Sequence, residues 1–298
     1  MNPVAEGKTK RLFPHTVRVE AKDRVTWDNQ HEADMPGKAK WSTETTCNVF
    51  ELFRGHKQEV AYMFRLGETS FIAPYCRMIP LEVVGRSLID PKSSFLKRHP
   101  SYPRVGVPLE IPEVEFFLKT SGKTFGGIDL PDADPLIVDP IMGGVGKDGF
   151  AVIHPAGKEG HAFIPKEVFE HAFGPVHDLR EFFETLRVRM GDLTLFLRDA
   201  WAKLGWQLGD WKGEFGFDCE GRLLLADVID NDSWRLRDPG GVERSKQIIR
   251  DAWRELDKTG KSNVELYGLR QVMVLTAGYS FELVAETSKL LPNARPVT

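Results

Sequence analysis

The chain has 298 residues, with 40 Lys and Arg against 43 Asp and Glu, a formal net charge of −3. Charged residues make up 28% and hydrophobic residues 41%, which excludes a disordered chain and argues against a general nucleic-acid binder, since phosphate contacts demand a strongly basic surface. No apolar run reaches the ~18 residues that a bilayer span requires, and Met1 to Lys10 lacks the apolar core of a signal peptide. The three cysteines, Cys47, Cys76 and Cys219, are too few and too scattered for a disulfide framework or a metal knuckle, so a reduced, cytoplasmic setting is expected.

In chain order, Thr16–Ala21 and Arg24–Trp27 alternate with period two and read as strands, with Lys22-Asp23 as a tight connection. Thr43–Arg54 reads as a helix. Thr69–Ala73 and Cys76–Val84 read as strands split by Pro74, and Val114–Leu118 as another. Residues 120–165 are crowded with Gly and Pro and read as loop or short hairpins. Leu179, Phe182, Phe183, Leu186, Met190, Leu193, Leu197, Trp201 and Leu204 step by three and four, which predicts a long helix with a core-facing stripe. Asp178 with Glu181 marks its start and Gly205 its stop. Asp210–Phe217 and Arg222–Ile229 read as a strand pair around the Asp218–Gly221 turn. Val242–Leu256 and Ser262–Leu291 read as helices, the second with Ser262 and Glu265 at its start. Strands, then a helix, a strand pair and helices predict an α+β fold.

Several segments carry chemistry. Glu6-Gly7-Lys8-Thr9-Lys10 places two lysines at i and i+2, on one face if the segment is a strand, beside a glycine that admits close approach; that suits a polyphosphate. Gly143–Asp148 is not a P-loop: Ile141 stands where the first glycine belongs, and Asp148 where the hydroxyl belongs. Asp210, Lys212 and Glu214 share a strand face, and a hairpin would bring Glu214 toward Asp227. Two carboxylates with substrate phosphates are a usual way to hold Mg²⁺. Asp230-Asn231-Asp232-Ser233-Trp234-Arg235 follows as a polar turn. Arg86, Ser94, Lys97 and Arg98 form another polar group.

Taken in order, these segments resemble the phosphoribosylaminoimidazole-succinocarboxamide synthase (SAICAR synthetase) family. Glu6–Lys10 resembles its EGKTK opening. Gly67–Pro74 and Met78–Glu82 resemble its hinge region, and Ser93–Arg98 its GSFLKR. Trp211–Gly216 resembles its K-x-E-F-G strand, Leu225–Leu236 the animal-type signature, and Ser245–Arg250 its D-K-Q-x-Y-R.

The resemblance implies an antiparallel nucleotide-binding lobe over residues 1–118, with a kinase-like hinge. It is packed on a larger α+β lobe over 119–298 that carries the Gly/Pro-rich insertion at about 120–165, with ATP in the cleft. It implies ATP-dependent joining of L-aspartate to 5-aminoimidazole-4-carboxylate ribonucleotide through an acyl phosphate. ATP would be held by Lys8, Lys10, Met78, Glu82 and Lys119, and Mg²⁺ by Glu214 and Asp227. Lys212, Asp210 and Asp232 would stand nearest the reacting groups. Arg86, Ser94, Ser233 and Arg235 would hold the ribonucleotide, and Lys246, Gln247 and Arg250 the amino acid. The partners implied are small molecules, with neither nucleic acid nor membrane, and the family leaves room for a homo-oligomer. The chain departs from the pattern near the ribonucleotide phosphate. Of the family's two arginines there, the first is Arg86 and the second is here Ser87 or Leu88; Leu88–Ser93 is about two residues longer, and Ser245 replaces the D-K-Q aspartate.

Overall fold

The computed structural model describes residues 5–6, 8, 10–12, 17–27, 31–138, 149–174, 176, 178–260 and 265–288. It divides the chain into two compact units. The first comprises residues 1–76, 199–208 and 223–298, and the second residues 77–198 and 209–222. The lobe boundary expected at 118/119 falls inside the second unit. Leu118 pairs there with Leu81, and the Lys119 N–H donates to the Pro80 carbonyl at 2.8 Å.

The first unit opens with β1 (Ala5–Glu6), β2 (Lys10–Leu12), β3 (Val17–Ala21), β4 (Arg24–Trp27) and β5 (His31–Asp34). Helix α1 (Lys38–Gly55), β6 (Phe64–Arg65) and β7 (Ser70–Ala73) follow. The sequence places β3 and β4 correctly but not their partners. β3 joins a five-stranded antiparallel sheet of order β1-β2-β3-β7-β6, whereas β4 pairs with β5.

Helix α1 begins five residues before the expected Thr43. Its start has no side-chain cap of its own, so no sequence signal marks it. Gly37, at φ +92°, turns the chain there, and Asp23 Oδ1 accepts the Ala39 N–H at 2.9 Å.

The second unit contains β8 (Arg77–Leu88), α2 (Ser94–Arg98), β9 (Pro108–Leu118), β10 (Thr124–Phe125), β11 (Ile128–Asp129) and β12 (Leu136–Ile137). It continues with β13 (Gly149–Ile153), β14 (His161–Pro165), α3 (Lys166–Phe173), most of α4 (Leu179–Lys203) and most of β15 (Gln207–Phe217). Its strands run antiparallel in the order β14-β13-β12-β9-β8-β15. The Gly/Pro-rich stretch contains a short hairpin, as its composition suggests: β13 and β14 pair over five residues each at one side of this sheet. Gly143–Asp148 lies outside the described residues.

Helix α4 covers one sheet face. Phe183 meets Phe116 at 4.9 Å and Phe150 at 5.2 Å between ring centroids, and Trp211 Nε1 donates to Thr194 Oγ1 at 2.8 Å. The expected α4 start is the observed one: Asp178 Oδ1 accepts the N–H groups of Arg180 and Glu181 at 2.8 and 3.0 Å.

The chain returns to the first unit with β16 (Leu223–Ala226), β17 (Trp234–Arg237), α5 (Gln247–Thr259) and α6 (Leu266–Ser288). The strand expected to reach Ile229 stops at Ala226, because Asp227 turns the backbone at φ +64°. Helix α5 starts at Gln247 rather than Val242. Residues before it are held by a turn on Asp238, whose Oδ1 accepts the Gly240 and Val242 N–H groups, each at 2.9 Å. Ser262 lies outside the described residues. Val25, Trp27, Met35, Ile249, Leu269 and Met273 form one buried core here. No helix among the described residues is long and apolar enough to cross a membrane. Mixed helices and antiparallel sheet make this the α+β architecture the pattern predicts.

Candidate active site

In the second unit the register of β15 against β8 sets Asp210 opposite Arg86, Lys212 opposite Val84 and Glu214 opposite Glu82. Glu115 of β9 lies opposite Val84 on the other side. Alternation puts these side chains on one sheet face, while Trp211, Phe215 and Phe116 fill the other. At one end of the polar face the Arg86 guanidinium is buried between two carboxylates. Its Nε donates to Glu115 at 2.8 Å and its Nη1 to Asp210 at 2.7 Å. Arg98 also donates to Glu115, and to the Pro155 carbonyl. Burial alone would weaken the Arg86 charge, but Glu115 and Asp210 outweigh it and hold its pKa above the ordinary arginine value.

At the other end the face opens to solvent. Lys212 Nζ lies 2.6 Å from Glu82 Oε2, and Lys119 pairs with Glu214. Glu214 is nearly buried, whereas Lys119 is half exposed. Met78 is exposed near the start of β8, opposite Gly216, just where the ladder shifts register between Glu214 and Gly216. Ser94 is the first residue of α2. Its neighbour Ser93 is the cap, its Oγ accepting the Phe95 N–H at 3.1 Å.

In the first unit the turn after β16 collects the other candidates. Asp227 occupies the left-handed backbone region, which Asp tolerates better than most residues. Asp230 Oδ1 accepts the Asp232 N–H at 2.8 Å, and its other oxygen takes the Ser42 hydroxyl. Ser233 is buried, its Oγ donating to the Val228 carbonyl at 3.1 Å. Asn231 Nδ2 donates to the Arg244 carbonyl at 2.8 Å and to Thr276 Oγ1 at 3.1 Å. Asp232 Oδ2 lies 3.3 Å from Lys246 Nζ and 3.7 Å from Lys38 Nζ. Gln247 is buried and its Nε2 donates to Asp251 at 2.8 Å. Arg235 on β17 and Arg250 on α5 are half-buried. Lys8 is exposed and sits between β1 and β2, so it does not share a strand with Lys10 as the i, i+2 reading expected.

The structure thus brings Glu82, Arg86, Asp210, Lys212 and Glu214 together with Lys119 in the second unit. It brings Asp232, Ser233, Lys246 and Gln247 together in the first. Sequence reasoning missed Lys38, Ser42 and Glu115. A lysine starting a helix reads as solvated, and so does a glutamate in a strand. The one available signal was Glu115 set between Val114 and the Phe116-Phe117 pair.

The family model described as SAICAR synthetase matches residues 3–124 and 175–266. The chain belongs to the SAICAR synthetase family. The match skips residues 125–174, which include the β13–β14 hairpin of this family member. A relative from Roseiflexus named phosphoribosylaminoimidazole-succinocarboxamide synthase is 32% identical over 259 residues, covering 83% of this chain and 86% of that one. A human relative is named bifunctional phosphoribosylaminoimidazole carboxylase/phosphoribosylaminoimidazole succinocarboxamide synthetase. It is 31% identical over 293 residues, which is 96% of this chain but 58% of the human protein. The chain therefore spans little more than half the length of that relative. Solved structures share the fold. A SAICAR synthetase in complex with ADP superposes with a TM-score of 0.63 at 21% identity, covering 99% of both chains. The Saccharomyces cerevisiae SAICAR synthase complexed with SAICAR gives 0.52 at 18% identity, covering 100% of this chain and 97% of that one.

Proposed function

We propose that this chain is an ATP-dependent carbon–nitrogen ligase that joins L-aspartate to 5-aminoimidazole-4-carboxylate ribonucleotide, giving SAICAR, ADP and phosphate. The observation that carries this reading is the polar strand face of the second unit, where Glu82, Lys119, Lys212 and Glu214 lie together, in a chain of this family.

A carboxylate is a poor acyl donor. In the proposed route one carboxylate oxygen attacks the γ-phosphorus of ATP and ADP leaves, forming an acyl phosphate. The aspartate amine then attacks the acyl carbon, phosphate leaves with that oxygen, and the amine loses its proton. Such a site must orient three anionic ligands and exclude water. By the family resemblance, Lys8, Lys10, Met78, Glu82 and Lys119 are assigned to ATP. Lys212 is assigned to neutralise charge at the reacting carboxylate, and Asp232 to stand beside the ring. Ser94, Ser233 and Arg235 are assigned to the ribonucleotide, and Lys246, Gln247 and Arg250 to the amino acid.

Glu214 and Asp227 are hard oxygen donors suited to Mg²⁺, and the Lys119 ammonium on Glu214 fits a carboxylate that receives positive charge. A bound Mg²⁺ would supply charge neutralisation on the ATP phosphates. Arg86 is assigned a different part from the one the resemblance implies. Its guanidinium is engaged by Glu115 and Asp210, so it serves the site by fixing Asp210.

That engagement, together with Ser87 or Leu88 in place of a second arginine, favours a second reading in which the acceptor carboxylate differs. An ADP-release assay separates the two. Release that requires both the ribonucleotide and L-aspartate supports the first reading. Release only with another carboxylate supports the second.

A further inference from the structure

Lys38 stands where a lysine is costly. It is the first residue of α1, at the positive end of the helix dipole, and its side chain is 3% exposed. Lys246 precedes α5 at its N-cap position and is also buried. Both ammonium groups address the same atom, Asp232 Oδ2, at 3.7 and 3.3 Å. The nearby Asp230 carboxylate is committed to the Ser42 hydroxyl and the Asp232 N–H. Asp23, which also faces Lys38, caps α1 through the Ala39 N–H. Arg250 adds a further positive charge beside Lys246.

The two lysines respond differently. Burial pulls the Lys38 pKa down, but Asp232 and Asp230 outweigh burial and hold it above the ordinary lysine value. Lys246 is pulled below that value by burial, with Arg250 and Lys38 adding to the effect and Asp232 offsetting only part of it. One carboxylate is shared between two ammonium groups: Lys246 donates to it at 3.3 Å, and the more deeply buried Lys38 lies 3.7 Å from the same oxygen.

We propose that Lys38 is a positioning residue: it holds the Asp232 carboxylate, and so leaves the Lys246 ammonium to receive a carboxylate of the amino-acid substrate. The second half of this inference rests on the reaction proposed above. Without the Lys38 charge, Asp232 is drawn more strongly to Lys246, and an incoming carboxylate competes with an internal one. Amino-acid binding then weakens, while the chemistry after binding is largely kept.

The test uses the full chain with Lys38→Met and Lys38→Arg. Lys246 is titrated by NMR in protein labelled with ¹³C-lysine, its resonance assigned from Lys246→Arg. The Lys246 midpoint moves up in Lys38→Met, because a like charge is removed and Asp232 is released to it. It stays near the wild-type position in Lys38→Arg. In turnover, Lys38→Met raises the KM for L-aspartate about ten-fold with kcat within about three-fold, and Lys38→Arg recovers most of that loss. An unmoved Lys246 midpoint, or a fall in kcat with the aspartate KM unchanged, overturns the proposal. Should Lys38→Met fail to fold, Asp232→Asn serves instead: it lowers the Lys246 midpoint, and an unmoved midpoint there also overturns the proposal. If the wild-type chain makes no product from L-aspartate, the proposed reaction has failed, and the titration still decides whether Lys38 governs Lys246.

Discussion

The Arg86 guanidinium lies 2.7 Å from the Asp210 carboxylate with both side chains almost wholly buried, and Glu115 closes the other side of the same guanidinium. Removing one partner of such a group strands the others without water. Arg86→Met therefore destabilises the protein by about 3–5 kcal/mol, read by urea unfolding. A loss below about 1 kcal/mol would mean that the cluster is not closed in solution.

Gly85 faces α4 at a point where no side chain fits. A Cβ there would come within 2.0 Å of Thr194 Oγ1 and 3.2 Å of Met190 Cε, and Thr194 Oγ1 is also the acceptor for the Trp211 indole N–H. Gly85→Ala is expected to cost about 1–3 kcal/mol through overpacking. Gly85→Ala with Thr194→Ala recovers only part of this, because the Trp211 N–H then loses its acceptor. Denaturant midpoints of the two single variants and the double variant provide the check.

Asp227 sits at φ +64°, a conformation that Asn also tolerates. Asp227→Asn should therefore keep the circular dichroism spectrum and melting temperature close to wild type. Turnover at saturating ATP and Mg²⁺ should fall roughly 10²–10³-fold if this carboxylate serves the metal. Near-normal activity would remove Asp227 from the proposed Mg²⁺ ligands.

What the sequence made legible follows from how local each signal is. The long helix α4 was plain because its apolar stripe, its Asp178 cap and its Gly205 stop all lie within the segment itself. The start of α1 was hidden because its cap, Asp23, comes from another part of the chain. Strand pairing was hidden for a similar reason. β3 and β4 are adjacent in sequence, yet period-two alternation says nothing about partners. The alternation of Asp210, Lys212 and Glu214 revealed a shared face. That Asp210 is spent on Arg86 depends on a register that only the folded sheet sets. Lys38 was invisible because nothing in a helical pattern distinguishes a buried lysine from a solvated one.

Asp238 contributes to the acid dependence of stability. Burial would raise its pKa, but the Arg244 guanidinium and the Val242 and Gly240 N–H groups prevail and hold it below the ordinary Asp value. Because it titrates lower folded than unfolded, its stabilisation is complete above the unfolded Asp value of about 4 and is lost as pH falls through the lower folded value. Asp238→Asn should lower stability at pH 7 and flatten its dependence on acid below about pH 4, measured as urea midpoints against pH. An unchanged acid slope would contradict this assignment.

Activation of a carboxylate by phosphoryl transfer is the central claim, and oxygen transfer tests it most directly. The chain is supplied with ATP, L-aspartate and the ribonucleotide carrying ¹⁸O in its carboxylate, and the phosphate released is examined by mass spectrometry. An acyl phosphate requires one carboxylate oxygen to leave with phosphorus, so the account predicts one ¹⁸O in each phosphate formed alongside SAICAR. Phosphate without label, released at the same rate as product, would contradict it.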